Sequence, residues 1–167
     1  RDESVLGPPA MREQIRIVDK RWVIIHVIEA TKEQIARIKA LGLVATVTPT
    51  FMYMASDRFG LDKLRERGIP IRALLDAGIP MALSTDNVPY SMPFAMWLAL
   101  SRWDNDSQSR LGESNLTREE ALRISTKTGH YLTWEEDRRG SIEVGKAADF
   151  IVLDRDPLTC EEDAIKD

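Results

Sequence analysis

A chain of 167 residues with 43% hydrophobic content has the material for one globular domain of ordinary size. Its formal net charge of −4, without any block of Lys or Arg, argues against a nucleic-acid or anionic-membrane partner and leaves a small molecule as the default. Cys160 is the single cysteine, so no internal disulfide forms and a reducing, cytoplasmic compartment is compatible; no apolar stretch approaches the roughly 20 residues that span a bilayer.

In chain order, residues 22–27 are apolar almost throughout and read as a strand covered on both faces, as in a parallel sheet. A helix is expected next: Thr31 with Gln34 forms a capping-box pattern, Ile35, Ile38 and Leu41 fall near helical spacing, and Gly42 stands where a helix stops. Residues 43–48 read as a second strand. Residues 63–77 carry another helix, interrupted over 68–70 so that its regular part begins near Ile71, and Gly78 marks its end. Residues 81–84 make a third strand and 92–103 an apolar helix. A polar loop follows over 104–115, and Thr117 with Glu120 opens one more helix through a second capping box.

Near the end, Gly140 to Asp154 reads GSIEVGKAADFIVLD. Residues 141–144 and 150–153 are short β-prone runs, and Gly145 between them supplies a turn residue that takes positive φ without steric cost. Three strands in β/α alternation are too few for a closed barrel, which needs about eight, and a partial barrel leaves open edges. The chain therefore reads as the end of something longer, in keeping with a first Met at position 11 and a start that lacks the apolar core of a signal peptide. An intact doubly wound domain is the structural alternative.

Over nearly the whole chain, WVIIHVIEATKEQIARIKALGLVATVTP, IRALLDAGIPMALSTDN, TREEALRISTKTGHYL and GSIEVGKAADFIVLDRDPL resemble the C-terminal portion of the amidohydrolase superfamily, in the branch with a composite β-sandwich tail. The resemblance implies an α/β fold: the last three or so strands of a (β/α)8 barrel over residues 1–133, then strands of a small β-sandwich over 134–167. It also implies a metal-dependent hydrolase of amide, cyclic amide or related C–N bonds, with one or two divalent metals, commonly zinc.

By this resemblance His26 stands where the family places the metal-binding His of the sixth barrel strand, as a neutral imidazole donor. Asp86, in ALSTDN, matches the Asp ending the eighth strand; a carboxylate there binds the metal and takes the proton of the attacking water as catalytic base. Without that context His26 reads as a buried His satisfied by backbone, and Asp86 as a cap of the following loop or helix. A rival register pairs His26 with Glu29 as an H-x-x-E pattern like that of the superfamily's deaminases, where the Glu handles a proton, but too few strands follow for it.

His130 reads as a surface or packing residue, and Arg72 as structural. Residues 51–54 and Tyr90 lie near the expected mouth without identifying a substrate. The family's remaining ligands are expected upstream of Arg1, so the 167 residues alone are expected to bind metal poorly and to be inactive. Open edges are expected to be covered by a missing N-terminal segment or another copy of the chain. A hydrolytic deaminase of a heterocycle and a binding module without metal are the alternatives.

Overall fold

The computed structural model describes residues 17–53, 60, 62, 65, 68–86, 90–112, 114 and 116–166. The stretch around Met11 and the side chain of Met54 fall outside them. Three parallel strands form one sheet: β1 (Val23–Ile24), β2 (Val44–Val47) and β3 (Met81–Leu83), in the order β1-β2-β3. Val23 is in register with Val44, and Val47 with Leu83.

Between β1 and β2 runs α1 (Lys32–Ala40). The expected capping box is present: the Thr31 hydroxyl accepts the Gln34 N–H, and the Gln34 side chain accepts the Thr31 N–H. Ile35 and Ile38 face the core, and Gly42, at φ +61°, turns the chain back into β2. A Cβ at Gly42 would come within 2.5 Å of the Val18 carbonyl oxygen, so the turn demands glycine for space as well as for φ.

After β2 a single turn of helix, α2 (Thr50–Tyr53), leaves the sheet, and α3 (Ile71–Asp76) leads into β3. The helix begins at Ile71, as its Gly68-Ile69-Pro70 interruption predicts. Arg72 on α3 pairs with Asp76 at 2.8 Å and with Glu120 at 2.8 Å. This ties α3 to α5 (Arg118–Ser125), so Arg72 has the structural role expected of it. Glu120 also accepts the Thr117 N–H, completing the second expected capping box.

The helix α4 (Met92–Ser101) is buried from Ala95 through Ser101, as a helix apolar on every side must be. It packs against a terminal 3₁₀ helix (Glu162–Lys166), α5 and β3. α6 (Lys127–Leu132) and α5 cover β3, and Leu74, Val47, Leu98 and Ala121 are fully buried where these layers meet.

Three expectations are corrected. Residues 22–27 form a strand of only two residues, and β1 is not covered on both faces: Trp22, Val23 and Ile25 are exposed, Ile25 at 65%. Among the described residues β1 is paired on one side only, with β2, and the left-handed backbone at His26 interrupts the ladder. The polar stretch 104–115 is not all loop, because β4 (Trp103–Asp104) and β5 (Ser109–Arg110) pair as an antiparallel hairpin. Finally, residues 141–144 and 150–153 form no strand among the described residues, although Gly145 does adopt φ +92°. Their apolar side chains stand in solvent, Ile142 at 94% and Val152 at 88% exposure. Strand propensity has no expression without a partner edge, since a strand's hydrogen bonds are made to a neighbour.

Candidate metal-ligand site at the carboxyl edge of the sheet

Because all three strands run parallel, their carboxyl ends lie along one edge of the sheet. His26 follows the end of β1 and Asp86 the end of β3, with β2 between them. In an α/β sheet this edge is where ligands bind, since the loops there are free of the ladder. Both residues have φ +54°, in the left-handed region that non-glycine residues seldom adopt but that His and Asp tolerate better than most.

The kink at His26 is compensated locally. Its N–H, withdrawn from the ladder, donates to the Thr46 hydroxyl at 3.2 Å, while the next residue's N–H returns to the ladder at the Thr46 carbonyl, 3.0 Å away. The imidazole Nδ1 lies 2.7 Å from the Thr48 hydroxyl, and the ring meets Phe51 edge-on at 5.3 Å between centroids. Held on one nitrogen and one edge, the ring keeps Nε2 for another partner; none is found for it among the described residues.

At the other end of the edge, Ser84 N–H still donates to the Val47 carbonyl at 2.8 Å. The chain then turns, and the Thr50 hydroxyl holds the Thr85 carbonyl at 3.2 Å. Asp86 is exposed and makes no side-chain hydrogen bond among the described residues. Thr48 and Thr50 are buried, and neither was singled out in the sequence. The signal available was the recurrence of threonine at 46, 48 and 50 where an apolar strand runs out into its loop.

The other sequence candidates divide plainly. Glu29 is exposed, as Asp86 is, and its backbone is engaged in an isolated bridge to Gly68. His130 packs beneath Gly140, where an added Cβ would approach its ring to 2.7 Å, in keeping with a packing role. Phe51 reaches His26, Met52 is core, and Tyr90 is 83% exposed. A cleft of about 520 Å³ runs between β1 and α1 past His26 and Glu29. Asp86 is not among its walls, so the cleft does not lie between the two candidate ligands.

A neutral imidazole nitrogen and a carboxylate suit a divalent cation of borderline softness such as zinc. No three His, Cys, Asp or Glu side chains gather around one point among the described residues, so these residues by themselves form no complete shell for such an ion.

Comparison with known proteins places the chain in a family. Residues 9–167 match the amidohydrolase family, and the chain belongs to it. It is 30% identical over 141 residues to an N-substituted formamide deformylase of Arthrobacter pascens, covering 81% of this chain and 26% of that protein. To an imidazolonepropionase of Syntrophobacter fumaroxidans it is 30% identical over 154 residues, covering 89% of this chain and 31% of that protein. Among solved structures, a metal-dependent hydrolase of Pyrococcus horikoshii superposes with a TM-score of 0.70 at 24% identity, covering 84% of this chain and 30% of that one. The chain thus spans between a quarter and a third of the length of these relatives.

Proposed function

We propose that this chain is the carboxyl-terminal part of a metal-dependent hydrolase that cleaves an amide, cyclic amide or related C–N bond. In this reading the three parallel strands belong to a (β/α)8 barrel and the segment after α6 to a small β-sandwich. His26 and Asp86 supply two ligands of a divalent metal, zinc by the character of the donors. The observation that carries the reading is the equivalent station of the two residues beyond parallel strands, with His26 held through Nδ1 so that Nε2 is available.

A divalent cation, when bound at such a site, polarises the scissile carbonyl and makes water a nucleophile near neutral pH. His26 contributes a neutral nitrogen donor that needs no charge compensation. Asp86, exposed and unpaired among the described residues, accepts the proton released as water attacks. The same carboxylic acid then returns that proton to the departing nitrogen, so the leaving group departs as a neutral amine. The relatives named above act, by name, on a formamide and an imidazolone, both of which carry the C–N bond this chemistry requires.

The test is a panel of an N-substituted formamide, a cyclic amide and an amino-substituted heterocycle offered to the full-length protein and its Asp86→Asn variant. Asn keeps the size of the side chain and, like Asp, tolerates left-handed backbone, but it accepts no proton at neutral pH. Turnover of an amide or cyclic amide, lowered about 10²- to 10⁴-fold in the metal-loaded variant, is the expected result. Release of ammonia from the heterocycle alone would favour a deaminase. A metal-loaded Asn variant as fast as the parent would remove Asp86 as the base and make Glu29 the next residue to test.

A further inference from the structure

We propose that Thr48 is a positioning residue for His26, its buried hydroxyl holding the imidazole so that Nε2 faces the metal. The inference rests on the metal-site reading above and adds a residue to it. Thr48 is fully buried just past the end of β2, and its hydroxyl lies 2.7 Å from His26 Nδ1. Thr46, two residues earlier in β2, takes the backbone N–H of the same histidine on its hydroxyl. Phe51 closes on the ring edge. Backbone, ring nitrogen and ring edge of His26 are therefore all fixed by one continuous segment, residues 46–51, rather than by scattered neighbours.

The chemistry gives the contact a direction. A neutral imidazole has one N–H and one lone pair, so once Nε2 gives its lone pair to a cation Nδ1 must carry the proton. Thr48 Oγ1 is the atom placed to accept that N–H. A ligand histidine whose second nitrogen is so held keeps its orientation and gains donor strength; loss of such a partner typically weakens metal binding about 10- to 100-fold. A valine at position 48 has nearly the same shape and cannot accept a hydrogen bond, whereas a serine can.

The experiment titrates zinc into the metal-free full-length protein and its Thr48→Val, Thr48→Ser and His26→Ala variants, with nitrogen-15 spectra of the His26 ring in the zinc-loaded parent. The expected result is a zinc Kd raised about 10- to 100-fold in Thr48→Val, restored to within about threefold by Thr48→Ser, and raised further in His26→Ala. The parent's spectra should show a proton on Nδ1 and metal on Nε2. If His26→Ala weakens binding while Thr48→Val does not, Thr48 is merely structural and the positioning role is wrong. If His26→Ala leaves binding unchanged, the metal-site reading itself fails. Should Thr48→Val not fold, the spectra decide alone: metal on Nδ1 would overturn the proposal.

Discussion

His26 and Asp86 occupy matching stations two strands apart: each stands just past the carboxyl end of a parallel strand, and each holds its backbone at φ +54°. Positive φ recurs at turns elsewhere in the chain, at Arg21, Ile69, Arg102, Gln108 and Trp134, so at His26 and Asp86 it marks where each strand gives way to its loop.

The cost of that backbone conformation is measurable at His26. Alanine at φ +54° bears the full steric penalty of left-handed backbone, while glycine bears none. His26→Gly should therefore be about 1 kcal/mol more stable than His26→Ala in denaturant unfolding, although both lose the contacts with Thr48 and Phe51. Equal stabilities would mean that the backbone relaxes out of the left-handed region once the imidazole is gone.

Far from that edge, Arg21 locks the approach to β1. Its guanidinium lies between the rings of Tyr131 and Trp134, 3.7 and 3.8 Å from their centroids. It donates to the Tyr131 carbonyl at 2.7 Å and to Glu136 at 2.6 Å. Lysine cannot reproduce a flat fork stacked between two rings, so Arg21→Lys should lower Tm by roughly 2–4 °C. An unchanged Tm in calorimetry would show that the stack contributes nothing net.

The same ion pair sets an acid limb. The Arg21 hydrogen bond, ahead of all other causes, holds the Glu136 carboxyl below its ordinary value, and the Thr117 N–H followed by Arg72 does the same for Glu120. A carboxyl whose pKa is depressed on folding contributes stability that is complete above its unfolded pKa, about 4.3, and is lost as pH falls through the lowered folded value. Glu136→Gln should accordingly flatten the fall of stability below about pH 4.5, with little change in its slope at neutral pH. An acid limb as steep as the parent's would place the responsible carboxyls elsewhere.

The exposed runs after α6 make a further prediction. Ile142, Val144, Ile151 and Val152 present a strand-prone apolar surface with no edge to pair with among the described residues. The chain studied by itself should associate as its concentration rises, and Ile151→Lys should reduce the association seen by light scattering. A monomer with a cooperative melt would contradict this.

Much of the fold was legible because its signals are local. The capping boxes at Thr31 and Thr117, the stops at Gly42 and Gly78 and the start of α3 at Ile71 each depend on residues within one turn of the element they bound. His26 and Asp86 were singled out by the family resemblance, while the β/α alternation alone put His26 inside a strand that ends before it. What escaped notice depends on partners. The shortening of β1 comes from the backbone conformation of His26, which its apolar sequence does not reveal. The 103–110 hairpin, apart from Trp103, is built of polar residues that show no alternation. Arg21 and Glu136 meet across 115 positions, beyond any pattern along the chain. Residues 141–144 and 150–153 show the converse: strong local propensity, with strand pairing dependent on an edge the described residues do not offer.

Metal content tests the central claim most directly. The full-length protein, purified without chelator and measured by plasma mass spectrometry, should hold about one or two zinc-like ions per subunit, and a variant carrying both His26→Ala and Asp86→Ala should lose at least one of them while keeping its fold by circular dichroism. A parent that holds no metal, or a double variant that holds as much as the parent, would contradict the assignment of these two residues to a metal centre.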